Sequence, residues 1–137
     1  DHISHGYNQN NSELHSIRYF FDEAPDCLKE IIIQTKLKDA YIGILMLKTG
    51  NVIPWHYDAF ALFKGSQTDS KKPNIERHLI FPFDWDWGHF FQIGNNIIGN
   101  WEAGQVYTWP YRRYHLAVNA GIKDFYMISI TGRKNNK

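Results

Sequence analysis

The sequence predicts a mainly β protein with one helix near its N-terminus. Two observations support this fold class. Short apolar runs separated by Gly, Asn, Asp or Pro recur from about residue 40 onwards, and one earlier stretch has helical apolar spacing. Strands that follow one another without intervening helices are typical of a β-sandwich or a small barrel, and not of a βαβ fold.

The predicted helix spans about residues 23–36. Leu28 and Ile32 lie one helical turn apart and begin an apolar face. Asp22 is a candidate N-cap, and Pro25 suits the first turn of a helix.

Eight strands are predicted after the helix, each rich in β-branched or aromatic residues. They lie at residues 40–47, 52–60, 75–83, 89–93, 96–101, 105–109, 115–119 and 124–130. The longest polar insertion, residues 61–74, is predicted to be a mobile loop and a candidate lid.

Length and composition limit the function classes. The chain has 137 residues, which predicts one domain over residues 1–137, with a flexible arm at 1–12 and a core at about 40–132. Fifteen Lys and Arg against fourteen Asp and Glu give a net charge of +1, too little for a nucleic-acid or anionic-membrane binder. A single cysteine, a polar N-terminus and no membrane-length apolar run predict a cytoplasmic protein.

The stretch from residue 48 to 58 carries the candidate chemistry. Side chains alternate along a strand, so His56 and Asp58 share one face, while Trp55 and Tyr57 point to the other and are predicted to be core. One imidazole and one carboxylate on a shared face are half of a metal site.

A later histidine has to supply the other half. His78 and His89 follow the pair closely, whereas His115 begins a late predicted strand, 57 positions beyond Asp58. That separation suits a jelly roll, so we predict His56, Asp58 and His115 as the ligands. Two histidines and one carboxylate leave positions open on the metal, as in non-haem iron(II) oxygenases. The alternative, that all three are ordinary hydrogen-bonded side chains, stays open here.

Four motifs in order resemble a known family. They lie at residues 48–58, 77–82, 101–107 and 115–121. Together they resemble the 2-oxoglutarate/iron(II) dioxygenases of the aspartyl/asparaginyl β-hydroxylase-like group and, more distantly, prolyl-hydroxylase-type members of that superfamily. The resemblance covers about residues 41–132, roughly two-thirds of the chain.

The resemblance implies a double-stranded β-helix core, which is a jelly roll of cupin-like form. It also implies Fe(II), with 2-oxoglutarate as cosubstrate and O2, and hydroxylation of an unactivated C–H bond. The implied ligands are again His56, Asp58 and His115. The substrate would be a small molecule or a protein side chain such as Asp, Asn or Pro.

The sequence departs from that family at one position. The basic residue expected about ten positions after the distal histidine, which holds the far carboxylate of 2-oxoglutarate, is replaced by Phe125. Arg77 is the first substitute, and His78 matches a family histidine that helps to hold the cosubstrate. Weaker candidates for the same role are Lys123, Arg112, Arg113, Tyr126 and Ser129.

Two alternative functions follow from the same residues. A jelly roll that is non-catalytic, or that binds metal without 2-oxoglutarate, is favoured by Phe125. An aromatic carbohydrate-binding module would use Trp85 and Trp87 but gives the three candidate ligands no role.

Overall fold

The computed structural model describes residues 3–8, 10–58, 74–110 and 113–135. Within them lie one α-helix, α1 (Asp26–Thr35), and two short 3-10 helices, Ile3–His5 and Phe21–Glu23. Nine strands are described: β1 (His15–Phe20), β2 (Lys38–Leu47), β3 (Val52–His56), β4 (Ile75–Ile80), β5 (His89–Ile93), β6 (Asn96–Ile98), β7 (Val106–Pro110), β8 (His115–Asn119) and β9 (Phe125–Arg133).

Two antiparallel sheets face each other. The larger sheet has the order β1-β2-β9-β4-β7, and the smaller has the order β3-β8-β5-β6. From β2 onwards the chain changes sheet at every connection except the tight β5–β6 turn, which fits a jelly roll. The prediction of a mainly β fold with one N-terminal helix is confirmed.

The helix begins later than the sequence predicts. It starts at Asp26, directly after Pro25, and Asp22 lies in the preceding 3-10 helix, so Asp22 is not its N-cap. Pro25 is the N-cap residue: its ψ of 151° is extended and not helical, so the helix begins at the residue that follows it. Lys36 ends the helix in a left-handed conformation.

The helix covers the outer side of the larger sheet. Its apolar residues Leu28 and Ile32 pack there on Ala40, Ile42 and Ile130 of β2 and β9. This contact removes the apolar outer surface of those two strands from solvent.

The strands differ from the predicted ones mainly in their ends. β3 stops at His56 instead of continuing to residue 60, and β9 continues to Arg133. β1 (His15–Phe20) is not among the predicted strands. The predicted loop at 61–74 lies outside the described residues except for Asn74. In the described part of the chain, no helix is both long and apolar enough to cross a membrane.

An aromatic core fills one end of the space between the sheets. The ring of Phe81 stacks on Trp101 with centroids 3.9 Å apart, and Phe125 stacks on His89 at 4.6 Å. Phe125 is therefore a core residue here, which accounts for an apolar side chain at this position.

Asn119 ties the end of β8 to β2 and to the next turn. Its buried side-chain amide donates to the carbonyls of Leu47 (2.7 Å) and Lys123 (2.8 Å), and its Oδ1 accepts from Gly121 N–H (3.0 Å). Gly121 approaches Trp87 so closely that a Cβ atom there would lie 2.2 Å from the Trp87 carbonyl oxygen. Residues 119 and 121 therefore shape the turn that leads into β9.

Replacing Asn119 with Ala is expected to lower the free energy of unfolding by about 3 kcal/mol, because the carbonyl of Leu47 and the N–H of Gly121 lose a buried side-chain partner, while the Lys123 carbonyl keeps its bond to His89 Nε2. Urea unfolding of both proteins measures the change. Asn96→Ala removes an exposed amide and serves as the control, with an expected change within about 0.5 kcal/mol. Equal effects of the two substitutions would contradict this account.

Candidate metal centre

The pairing of β3 with β8 brings two histidines together. His56 lies directly opposite His115 in the ladder, after an irregularity between Ile53 and His56. Both imidazoles point into the space between the sheets, and their ring centroids are 4.4 Å apart. Antiparallel pairing of these two strands therefore supplies both imidazoles of a site.

Asp58 completes the cluster from just beyond the end of β3. Its Oδ1 lies 3.6 Å from His56 Nε2, and its Oδ2 lies 3.3 Å from His115 Nε2. Each residue offers one ligand atom, and these three atoms lie within 4.8 Å of one another. Among the described residues, this is the group of His, Cys, Asp and Glu side chains that is close enough to hold a metal ion.

Hydrogen bonds orient both imidazoles for ligation. His56 Nδ1 bonds the carbonyl of Pro54, and His115 Nδ1 bonds the carbonyl of Arg113 at 2.8 Å. A carbonyl only accepts, so Nδ1 carries the proton in each ring and the Nε2 lone pair of a neutral imidazole faces Asp58. Backbone carbonyls commonly hold metal-ligating histidines in this way.

The donor set fits a divalent cation. Two Nε2 lone pairs and a carboxylate converge on one point, where they repel one another unless a proton or a cation lies between them. Two imidazoles and one carboxylate suit Fe(II) with open positions, and a closely related donor set serves catalytic zinc. The three residues therefore form a possible metal site.

Arg77 supports the carboxylate from β4. Its Nη1 donates to Asp58 Oδ2 at 2.8 Å, and its Nε donates to Thr131 Oγ1 at 2.9 Å. Nη2 approaches the hydroxyl of Tyr41 at 3.4 Å. The guanidinium thus fixes one carboxylate oxygen and leaves Oδ1 directed towards His56.

The surroundings shift the three pKa values. Burial alone would raise the pKa of Asp58, but His56 and the positive charge of Arg77 outweigh it and hold that pKa below its usual value. Burial alone would lower the pKa of His56, but Asp58 and the Pro54 carbonyl raise it above its usual value. Burial lowers the pKa of His115, and Asp58 only partly offsets this. A second proton is therefore held more readily on the imidazole of His56 than on that of His115.

A cavity of about 220 Å³ opens beside the cluster. Apolar side chains from both sheets, with Leu14 just before β1, form much of its wall: Leu14, Ile17, Leu45, Ile53, Leu79, Phe91, Trp109, Ala117 and Met127. The charged lining consists of Asp58, Arg77 and Arg18. A pocket of this size accepts a small ligand, and the surplus guanidinium favours an anionic one.

The structure separates the residues predicted to hold a cosubstrate. Arg77 and Ser129 line the cavity. His78 points to the other face of β4, where its Nε2 bonds Glu76 at 2.8 Å, because adjacent residues in a strand face opposite ways. Tyr126 is likewise turned away and packs on Phe83.

The weaker cation candidates lie elsewhere. Lys123 approaches Asp86 at 3.8 Å, in the turn before β9. Arg113 contributes its carbonyl to His115, and its side chain is exposed. Arg112 lies outside the described residues. Of the basic residues predicted to hold a cosubstrate, Arg77 is therefore the one that contacts the His56–Asp58–His115 cluster in the described part of the chain.

Trp55 and Tyr57 are not core residues, contrary to the sequence prediction. Both are exposed, and each packs on the exposed ring of Tyr114. Alternation along β3 turns His56 inwards and Trp55 outwards, as predicted. Trp55 is nevertheless exposed, because no element in the described ranges covers the outer side of this sheet.

β1, which the sequence did not predict, adds a wall to the cavity. Ser16 and Arg18 of that strand line the pocket, with Arg18 directly opposite Gly43 of β2. The guanidinium of Arg18 also lies over the ring of Tyr41, 5.3 Å from its centroid. Polar Ser16 and Arg18 alternate with apolar Ile17 and Tyr19, and this period-two pattern is a strand signal that would have predicted the element.

Comparison with known proteins shows the fold. No protein-family model and no curated protein matches the chain. The plu4264 protein of Photorhabdus luminescens is similar in structure, with a TM-score of 0.56, 11% identity, and coverage of 93% of this chain and 85% of that one. The TT1209 protein of Thermus thermophilus has a TM-score of 0.53, 9% identity, and coverage of 94% and 90%. An uncharacterised double-stranded β-helix protein of Klebsiella pneumoniae has a TM-score of 0.49, 16% identity, and 74% coverage of both chains.

These likenesses extend to the fold alone. At 9–11% identity, the proteins of Photorhabdus luminescens and Thermus thermophilus, both with TM-scores above 0.5, share the chain's architecture and assign no activity. The resemblance to aspartyl/asparaginyl β-hydroxylases has no family match behind it, and it stays a prediction.

Removing any of the three predicted ligands is expected to weaken divalent-metal binding by more than about 100-fold, since loss of an outer-sphere partner already costs about 10–100-fold. Calorimetric titration with Mn(II) measures this for His56→Ala, Asp58→Asn and His115→Ala. His78→Ala, a histidine outside the cavity, is the control and should bind like the wild type. Unchanged affinity in the ligand variants would rule out the site.

Metal affinity is expected to fall as the pH falls. His56 has a raised pKa, so the apo protein keeps its proton to a higher pH, and an incoming metal has to displace it. The apparent Mn(II) affinity should drop by about tenfold or more from about pH 8 to about pH 6. Titrations in buffers of different ionisation enthalpy would also detect the released proton. An affinity independent of pH would contradict ligation through His56.

Proposed function

We propose that the chain is an Fe(II)- and 2-oxoglutarate-dependent oxygenase that hydroxylates an unactivated C–H bond. The supporting observation is the convergence of two oriented Nε2 atoms and one carboxylate on a small, largely apolar cavity with a guanidinium in its wall. The substrate is a small molecule or a protein side chain. In the overall reaction, substrate, O2 and 2-oxoglutarate give hydroxylated substrate, succinate and CO2.

The roles of the ligands follow from their hydrogen bonds. His56 and His115 would bind Fe(II) through Nε2, and Asp58 would bind it through Oδ1. Bound iron would supply the redox chemistry that couples decarboxylation of the 2-oxo acid to C–H hydroxylation. The apolar walls keep bulk water away from the reacting groups.

Arg77 is the residue best placed to hold the far carboxylate of 2-oxoglutarate. β9 turns Met127 and Ser129 towards the cavity and offers no cation there among the described residues. Arg77 lies on the neighbouring strand, beside Thr131 of β9, and reaches the same region. A guanidinium is suited to a carboxylate because its N–H groups match the two oxygens. Ser129 would add a hydroxyl donor.

A metal protein that does not use 2-oxoglutarate is the alternative. Phe125 is buried in the aromatic core where the related enzymes carry a basic residue. Arg77 is also already engaged by Asp58, so it would have to divide its donors between Asp58 and a cosubstrate. A jelly roll with the same three ligands could then bind metal alone or serve another metal-dependent reaction.

Succinate formation tests the proposal. The wild-type protein with Fe(II), ascorbate, O2 and 2-oxoglutarate should release succinate slowly without added substrate. Arg77→Gln should raise the KM for 2-oxoglutarate by about tenfold or more, because it removes a charge-assisted contact. His78→Ala is the matched control and should leave KM unchanged.

Metal binding and turnover together separate the two candidates. Tight Mn(II) binding without succinate release, and without any effect of 2-oxoglutarate on metal affinity, would favour the alternative. Equal KM values for the wild type and Arg77→Gln would remove Arg77 from the cosubstrate site while leaving the metal site intact.

A further inference from the structure

The cavity beside the candidate ligands contains a second guanidinium, that of Arg18. The first, Arg77, donates to Asp58 at 2.8 Å, so these two charges balance each other. Among the described residues, no carboxylate forms an ion pair with Arg18. Residues 59–73, outside the described ranges, have a net positive charge by composition, with three lysines and one aspartate. Arg18 therefore gives the cavity a positive charge that the described part of the chain does not balance.

Strand pairing places Arg18 at the mouth of the cavity. β1 is the edge strand of the larger sheet, and in it Arg18 lies opposite Gly43, which in turn lies opposite Ser129 of β9. The segment before β1 comes from the smaller sheet, where the carbonyl of Asn11 accepts from the N–H of Val52 at 2.8 Å, at the start of β3. β1 therefore runs beside the strand that carries a candidate ligand, and the exposed side chain of Arg18 is open to an incoming molecule.

Gly43 leaves an open space next to Arg18. Its φ lies outside the left-handed region, so the backbone does not require a glycine at this position. Glycine weakens the interior of a strand, and it often marks a place where a ligand approaches the backbone closely. A Cβ atom here would lie 3.1 Å from Ser129 Oγ, so a side chain at this position would fill the space between Arg18 and Ser129.

The two guanidinium groups contact different parts of one side chain. Arg77 Nη2 approaches the hydroxyl of Tyr41 at 3.4 Å, whereas the Cζ atom of Arg18 lies over its ring, 5.3 Å from the centroid. A guanidinium that lies over a ring keeps N–H groups at its edge for another partner. The cavity therefore has two cationic positions, one beside Asp58 and one at the mouth.

The charges of the loaded site favour a monoanion at the second position. With Fe(II) and 2-oxoglutarate bound as proposed, a divalent cation balances a dicarboxylate, and Arg77 balances Asp58. The charge that is left over is that of Arg18, and one carboxylate would balance it. A guanidinium binds a carboxylate well because its N–H groups match the two oxygens.

We propose that Arg18 binds the carboxylate of the primary substrate, in the space above Gly43. The substrate class is then a small organic acid with one carboxylate and an apolar body, since Leu14, Leu45 and Ile53 line the same cavity. Naming this ligand the substrate rests on the proposed oxygenase function. The carboxylate site itself rests on the charge and the shape of the cavity.

Titration of the metal-free full chain with hexanoate and with its neutral analogue hexanamide tests the site. The two probes have the same apolar body and differ in charge, and two-dimensional ¹H–¹⁵N NMR spectra measure both dissociation constants. Hexanoate should bind the wild type about fivefold or more tightly than hexanamide, because it adds a charge-assisted contact. Arg18→Gln should remove this difference and leave the affinity for hexanamide unchanged.

Two further variants locate the site. Gly43→Val fills the space beside Arg18 with a residue that suits a strand, so it should weaken both probes by about fivefold or more. Lys48→Gln removes a positive charge at an exposed position outside the cavity and should bind both probes like the wild type. The same spectra show whether each variant is folded.

Three results would overturn the proposal. The first is a wild type that does not distinguish hexanoate from hexanamide. The second is an Arg18→Gln variant that keeps the preference for hexanoate, or that weakens both probes equally. The third is wild-type affinity of folded Gly43→Val for hexanoate, because the carboxylate would then lie elsewhere.

The titration needs neither metal nor turnover, so its failure is distinct from failure of the proposed function. Arg18-dependent binding of hexanoate to a protein that forms no succinate would support the carboxylate site and reject the oxygenase. Succinate formation by a protein whose binding of hexanoate does not depend on Arg18 would reject the carboxylate site and leave the oxygenase.

Discussion

The register between β3 and β8 is the constraint on which the candidate site depends. His56 pairs directly with His115, so both imidazoles enter the space between the sheets together. Because side chains alternate along a strand, a slip of one residue would turn an imidazole outwards and bring Trp55 or Tyr114 into the cavity. The apolar residues around the histidines fix this register, since the same slip would expose Ala117 and Ile53. The register that buries the apolar residues of β3 and β8 is therefore also the register that brings the two imidazoles together.

The buried carboxylate of Asp58 is stabilised by partners from both sheets. A lone buried carboxylate is costly, but here Arg77 donates to Oδ2, and His56 lies where its protonated Nε2 faces Oδ1. The guanidinium is itself held by Thr131 of β9, so the larger sheet carries the charge that supports a ligand from the smaller sheet. The site therefore joins the two sheets electrostatically across the cavity, and a change in Arg77 would affect both the ligand and any anion bound beside it.

The two sheets also differ in their surroundings. α1 packs on the larger sheet through Leu28 and Ile32, and β1 extends the same sheet so that Ser16 and Arg18 wall the cavity. The smaller sheet supplies His56 and His115 and keeps an apolar outer side. The additions to the jelly roll thus lie on one sheet, while the candidate ligands lie on or just beyond the strands of the other.

The sequence by itself determined the local features of this protein. Period-two alternation placed His56 and Asp58 on one face, and turn residues between apolar runs gave the strands from β2 to β9 close to their observed positions. The single helix was also predictable, because it depends on residues that are near one another in the chain, whereas His115 lies 57 positions beyond Asp58 and is brought to it by strand pairing.

Tertiary structure decided what depends on distant residues. Whether Arg77 or His78 faces the cavity depends on which side of β4 packs inwards, and Trp55 is exposed because nothing in the described ranges covers its side of the sheet. The wall formed by β1 depends on pairing with β2, and the apolar residue at Phe125 is explained by its contact with His89. Alternation along a strand assigns side chains to two faces, but only the neighbouring strands and layers determine which face is the inside.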